Sequence, residues 1–303
     1  MEKILFGAGE VGRELLRNGT ISPVAYFCDN KKSGEVIDGV EVISFEQLKK
    51  IHFNYEVIIA VRNRKVRQEI KELLANNKIG YRELDELDEV KYAGELGYWE
   101  DVYNRENHSF KNEFYKRLML GIAEEKNDRF LSEKVVCDFG CGPRGSLTWM
   151  KSPAVKIGVD VLVPKYFEHF GETMINHEMI YVTSTEKYIP LPDEFVDCLL
   201  TINSLDHVRN LEIISSELNR ILKKGGRLLA SFNLFEPVTE CEPQTLTEEI
   251  INEVLLKNFE IETYRIAERD EKETYKNLID KNLLEKANKD CPCILWVSAV
   301  KKD

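Results

Sequence analysis

The chain has 303 residues, 43% hydrophobic and 31% charged, with a formal net charge of -11. That length suits two domains and that balance an ordinary folded protein, which sets aside disorder, repeats and fibrous classes. The acidic excess repels a phosphate backbone and argues against nucleic acid as a partner.

In chain order, residues 3–6, 24–28, 40–43 and 57–61 are apolar enough for strands, and 10–17, 45–50 and 64–76 have helical patterning between them. Alternation of this kind predicts a small parallel sheet with helices on its faces. From 85 to 97 the chain is acidic, contains glycine and keeps no period, which places a domain boundary there and predicts domains of 1–90 and 91–303. A helix is expected over 110–125, where Phe114, Leu118 and Ile122 recur at helical spacing. Strands then follow at 135–139, 157–161, 179–182, 196–202, 227–232, 259–266 and 294–300. Seven strands, the last two without an obvious crossover helix, predict a mostly parallel sheet that ends in an antiparallel hairpin. Between those two, the charged stretch 268–290 carries Tyr275, Leu278, Ile279, Leu283 and Leu284 at helical spacing, and reads as a packing helix in preference to a lid.

The seven cysteines fall singly except for Cys291-Pro292-Cys293. They lack the paired spacings of a zinc site, so reduced and mostly buried thiols are expected and no metal. Met1-Glu2-Lys3 leads straight into Ile4-Leu5-Phe6 without a basic leader, and no apolar run approaches the roughly 20 residues that span a bilayer. A cytoplasmic protein with no membrane partner is the expectation.

Two glycine loops follow apolar strands: Gly7-Ala8-Gly9-Glu10-Val11-Gly12 and Gly140-Cys141-Gly142-Pro143-Arg144-Gly145. Each fits G-x-G-x-x-G, a weak signal alone. In the second, Asp138 stands at the strand end and Pro143 removes a backbone N–H where a pyrophosphate would need donors. A carboxylate there repels a diphosphate and attracts an ammonium, so the matching ligand has an amino-acid head and no phosphate, as S-adenosylmethionine does. Asp160 ends the next strand 18 residues after Gly142, a spacing at which an acid reaches ribose hydroxyls.

These segments, Val136-Cys137-Asp138-Phe139-Gly140-Cys141-Gly142 and Gly158-Val159-Asp160, with Pro190-Leu191-Pro192-Asp193 and the glycine turn within residues 222–229, resemble the class I S-adenosylmethionine-dependent methyltransferases. The resemblance covers about residues 98–303. It implies an α/β fold, a seven-stranded Rossmann-like methyltransferase sheet behind a smaller Rossmann-like domain, and S-adenosylmethionine as cofactor. By the same resemblance Asp138, Gly140 and Gly142 hold the methionine end, Asp160 the ribose, and Ser184, Thr185 and Glu186 the adenine edge, while Asn203 faces the methionine moiety. The sequence departs from the family at Ser184, where aspartate is common. Residues 142–147 and 203–208 also resemble a bacterial subgroup associated with glycan or secondary-metabolite modification. A small-molecule or glycan-precursor acceptor, methylated at oxygen, is therefore expected. The rival is a regulatory protein that binds the cofactor or a nucleotide-sugar without turnover.

Oxygen methylation needs a group to take the acceptor's proton, and His207 lies just beyond the fourth strand, with Asp206 beside it in sequence. A capping or core imidazole is the competing reading of His207. Glu236, Thr239, Glu240 and Glu242, after the fifth strand, are candidates to line the acceptor site against the alternative of a solvated acidic loop. In the first domain Asp29 follows Gly9 by 20 residues, the spacing of a dinucleotide loop and its ribose-binding acid. Gly7, Gly9, Gly12 and Asp29 are thus a candidate nucleotide site. The segment resembles the small domains attached to bacterial sugar-modifying enzymes. Sugar-nucleotide binding, a structural or homodimerising module, and nicotinamide binding are the readings that remain open for it.

Overall fold

The computed structural model describes residues 1–61, 63–84, 88–239 and 241–302. It divides into two compact units, Met1–Glu95 and Leu96–Asp303.

In the first unit β1 (Lys3–Phe6), α1 (Glu10–Arg17), β2 (Val24–Cys28), β3 (Val36–Ile37), β4 (Val40–Ile43), α2 (Phe45–Ile51), β5 (Glu56–Ile59), α3 (Arg64–Asn76) and β6 (Arg82–Glu83) follow one another. The sheet order is β3-β4-β2-β1-β5-β6, parallel apart from the β3–β4 pair. Successive residues of β1 serve opposite cores, as the two-residue strand period requires. Ile4 and Phe6 pack with Phe45, Leu48, Ile70 and Leu74, while Leu5 joins Leu15, Phe27 and Ile58 on the other face. Both faces are covered, which is why these strands read as continuous apolar runs. A capping box between Ser44 and Gln47 starts α2, and the Asn63 side chain accepts from two first-turn N–H groups of α3.

The expected irregular boundary is a correction. An 18-residue helix, α4 (Asp88–Arg105), occupies most of it and contains the division at Glu95/Leu96; residues 85–87 lie outside the described part. Gly94 and Gly97 suggested a loop, but each glycine costs a helix only about 1 kcal/mol, which the other sixteen positions absorb.

The second unit continues with α5 (Phe114–Ala123), β7 (Val135–Phe139), β8 (Val155–Asp160), α6 (Val163–Met174), β9 (Ile180–Thr183), β10 (Val196–Ile202), α7 (Leu211–Ile221), β11 (Leu222–Leu234), α8 (Glu248–Ile250), β12 (Phe259–Glu268), α9 (Lys276–Ile279) and β13 (Cys293–Lys301). Helix α5 is shorter than the expected 110–125. The Asn112 amide donates to the Arg144 and Gly145 carbonyls and to Thr148 Oγ1, which ties residue 112 outside the helix, and Glu124 at φ 55° ends it. The stretch 268–290 holds only the short α9, whose Leu278 is buried in the cluster containing Trp296, so it is a packing segment. The helical segment from α8 to Asn258, capped by Thr247, has no counterpart in the sequence reading.

The seven strands run β12-β13-β11-β10-β7-β8-β9, with β13 antiparallel to both of its neighbours. Cys137 and Phe139 of β7 face a core shared with Leu211, Ile214 and Leu218 of α7; Val136 faces Leu118, Met119 and Ile122 of α5. The strand order reverses at β7, whose successor β8 lies on one side and β10 on the other. Ligands of open α/β sheets bind at such a switch point, beyond the carboxyl ends of the strands. No helix of the described residues is long and apolar enough to cross a membrane.

Candidate active site

The turn after β7 sits at that switch point. Gly140 has φ +70°, and a Cβ there would overlap the Cβ of Ser204. Ser204 cannot yield easily, because its hydroxyl donates to the Phe139 carbonyl and meets Thr201 Oγ1 at 2.7 Å. The loop after β7 is thereby pinned to the end of β10.

Asp138 is 3% exposed. It is not the bare carboxylate that the sequence suggested, because the Ser146 hydroxyl donates to Oδ2. Oδ1, however, is buried with no hydrogen-bond partner. Burial pushes this carboxyl up to about 7, opposed by the Ser146 hydroxyl and reinforced by the nearby Asp160 charge. Two tyrosines that sequence reasoning missed stand close by. Desolvation, with the Asp138 charge second, pushes the Tyr115 phenol well above its ordinary range. Tyr275, raised to about 12 chiefly by burial, accepts from the Asn203 amide at 2.7 Å. Tyr115 and Tyr275 reach the site from distant segments and carry no local motif, whereas Ser146 was legible beside the glycine loop.

Asp160 takes the Gly142 N–H at 3.1 Å on Oδ2 and the Leu162 N–H at 2.9 Å on Oδ1. It thus joins the glycine loop to the start of α6, and a carboxylate's remaining lone pairs can still accept from a diol. The adenine-edge residues separate. Ser184 is 4% exposed and its Oγ has no partner, but Thr185 is exposed and its hydroxyl accepts from the Lys187 and Tyr188 N–H groups. Glu186 accepts from the Arg209 N–H. Asn203, at φ +48°, spends its amide on Tyr275 and on Ser231, which donates to Oδ1. Its role in the structure is to brace the ends of β10 and β11 against the segment carrying α9.

Beyond β10, Asp206, His207 and Glu242 each bring a ligand atom to within 4.8 Å of the others. Adjacency alone did not predict a dyad, and the third member comes from the loop after β11. Asp206 is 3% exposed with Oδ1 unpartnered, and burial raises its carboxyl, with the neighbouring His207 pulling the other way. His207 Nε2 lies 4.0 Å from Glu242 Oε1, both side chains about a third exposed. The other acidic-loop candidates do not join. Glu236 pairs with Arg269 at 2.6 Å, and Thr239 accepts the Glu242 N–H; Glu240 lies outside the described residues.

Residues 137–230, spanning the glycine loop, Asp160 and the Asp206–His207 turn, match the family described as Methyltransferase domain. This chain carries a class I, S-adenosylmethionine-dependent methyltransferase domain. The domain is 30% identical over 122 residues to sterol 4-C-methyltransferase of Caenorhabditis elegans, covering 39% of this chain and 36% of that one. It is 33% identical over 75 residues to the ubiquinone/menaquinone biosynthesis C-methyltransferase of Teredinibacter turnerae, covering 25% and 27%. The chain thus spans about a third of the length of these curated relatives. A solved SAM-dependent methyltransferase of Thermotoga maritima is 18% identical, with a TM-score of 0.47, over 70% of this chain and 99% of its own.

The methyltransferase domain's own residues fit its cofactor. S-adenosylmethionine presents an ammonium, a ribose diol and an adenine with donors. Facing these needs, the site offers the orphaned Asp138 Oδ1, the Asp160 carboxylate and the orphaned Ser184 Oγ. A buried acceptor without a donor costs about 1–3 kcal/mol, which a bound ligand recovers.

Two results are expected. Asp160→Ala lowers cofactor affinity by about 1.5–3 kcal/mol, the worth of a charged hydrogen bond; calorimetry returning wild-type affinity would sink the ribose assignment. Asp138 binds a proton below about 7, whereas its unfolded form releases it near 4. Between those values the native state holds more protons than the unfolded state, so stability without cofactor falls as pH rises through that window. Ligand ammonium favours the ionised form, so cofactor affinity rises with pH to about 7 and then levels. Affinities at pH 5.5 to 8 check this, and Asp138→Asn flattens both profiles.

In the first unit the glycine loop is built for close packing: at Gly12 a Cβ would run into the Gly7 carbonyl, so helix α1 rests directly on the turn. Gly9 is the N-cap of α1 and faces open space. Lys32 Nζ donates to the Ala8 carbonyl at 2.7 Å, which sets an ammonium at the loop. Asp29 Oδ1 accepts the Lys31 N–H at 2.9 Å.

Proposed function

We propose that this chain transfers a methyl group from S-adenosylmethionine to a hydroxyl oxygen of a small molecule or glycan precursor. One observation carries the reading. The neighbouring strands β7 and β10 lead into a buried carboxylate that lacks a donor and a carboxylate–imidazole group at a mouth open to solvent. When bound, S-adenosylmethionine supplies an electrophilic methyl on a sulfonium. Methyl transfer is an in-line displacement, so the protein mainly aligns the acceptor and excludes water. Asp138 holds the amino head, Asp160 the ribose and Ser184 the base. Removal of the acceptor's proton falls to His207 and the two carboxylates around it.

A carbon acceptor is the second reading, favoured by the names of two relatives that are C-methyltransferases. Incubating the full chain with methyl-labelled cofactor and a panel of sugars, nucleotide-sugars, phenols and sterols, with mass spectrometry of the products, tests both. A methyl ether supports oxygen; a carbon-linked methyl replaces it with the second reading.

For the first unit we propose a phosphate-bearing ligand, such as a nucleotide-sugar, at Gly7, Gly9, Gly12 and Asp29. Backbone N–H groups at a helix start, with no proline among them and an ammonium beside them, suit a diphosphate. Titrating the full chain with a nucleotide-sugar and with a nicotinamide dinucleotide should shift the amide signals of Gly9 and Val11. Unchanged spectra at millimolar ligand would leave a structural module.

A further inference from the structure

We propose that Asp206, His207 and Glu242 bind a divalent transition-metal ion, and that the acceptor is a vicinal diol chelated by that ion. The idea rests on the oxygen-methylation reading for the acceptor's place and deepens it. One imidazole nitrogen and two carboxylate oxygens lie within 4.8 Å of one another. An ion with bonds of about 2.0–2.2 Å needs donors on opposite sides about 4 Å apart, so a small closure completes the set. Among the described residues this is the group of histidine, cysteine and acidic side chains with that convergence.

The second observation is independent of the clustering. Asp206 is 3% exposed, and its Oδ1 has no hydrogen-bond partner. Buried charges are paired or coordinate metals. Two carboxylates converging on one imidazole, one of them desolvated, form an anionic set that a cation neutralises.

The loop after β11 is shaped to hold the third ligand. The Gln244 N–H donates to the Asp206 carbonyl at 3.2 Å, and its side chain donates to the Arg209 carbonyl at 2.9 Å. The Glu242 N–H donates to Thr239 Oγ1, whose hydroxyl donates to Glu242 Oε2 at 3.2 Å, leaving Oε1 towards His207. Because His207 and Glu242 are partly exposed, the ion keeps open positions on the solvent side. Three protein ligands on a six-coordinate ion leave room for both oxygens of a diol.

The chemistry balances. The ion lowers the pKa of the coordinated hydroxyl, and the proton leaves to water. The oxygen's electron pair forms the O–C bond as the S–C bond breaks and its pair stays on sulfur. The products are a methyl ether, S-adenosylhomocysteine and a proton. In this arrangement His207 is a ligand.

The test uses the chelator-stripped full chain titrated with Mn²⁺, with free ion read by electron paramagnetic resonance. One equivalent should bind to the wild type, and Glu242→Gln and Asp206→Asn should each weaken binding by at least about tenfold, while calorimetric affinity for S-adenosylmethionine shows that both variants remain folded. Absence of Mn²⁺ binding at millimolar ion, or undiminished binding in both variants, overturns the site. Transfer to hydroxyl acceptors that survives chelator yet is lost in His207→Ala overturns the ion while keeping oxygen methylation. Tight, Glu242-dependent Mn²⁺ binding with no transfer to any hydroxyl keeps the ion and overturns that function.

Discussion

Turnover of His207→Ala should fall by roughly 10² to 10⁴ while cofactor affinity stays near that of the wild type. The imidazole is about a third exposed and stands beyond β10, away from Asp138, Asp160 and Ser184. Its loss therefore removes the handling of the acceptor's proton without opening a core cavity. The effect should appear in kcat more than in KM, since the imidazole matters most as the acceptor oxygen gains charge. Single-turnover rates alongside thermal melting are the decisive pair. An unchanged rate would return His207 to a structural role, and a collapsed melting temperature with a proportional loss of cofactor binding would do the same.

Gly140→Ala should damage the site from the cofactor side, lowering cofactor affinity by about 2–5 kcal/mol, or roughly 30- to several-thousand-fold. Two penalties combine. A left-handed φ of +70° costs alanine about 1 kcal/mol or more, and the new Cβ must displace Ser204. Ser204 is buried and held by Phe139 and Thr201, so the loop moves instead and takes the Gly142 N–H away from Asp160. Adding Ser204→Gly restores the space but not the dihedral, and so should recover part of the loss. Wild-type affinity in Gly140→Ala, or no recovery in the double variant, would show that the turn tolerates a side chain.

The two results together separate the halves of the site. Gly140 governs whether the cofactor is held and His207 whether the acceptor reacts, and the strands that carry them are adjacent in the sheet.

Local pattern carried most of the architecture. Strands buried on both faces announce themselves as apolar runs, and β7, β10 and their glycine turns stand where runs and turns place them, because those signals depend only on neighbouring residues. The same locality made Asp138 and Asp160 legible as strand-end acids. It misled at residues 88–105, where two glycines were taken for a linker although the rest of the stretch sustains a helix. What no local signal could supply was convergence. Glu242 meets His207 because a loop folds back from β11 and is fastened to Asp206 and Arg209. Tyr275 reaches Asn203 because the segment before β13 packs on Trp296. Asp138 lacks a donor because burial of the whole face around it removed water. Such contacts link residues far apart in sequence and depend on packing that only the complete fold creates. Residue types and order therefore indicated the domain and its cofactor, while the tertiary structure alone decided which groups stand together at the acceptor's mouth.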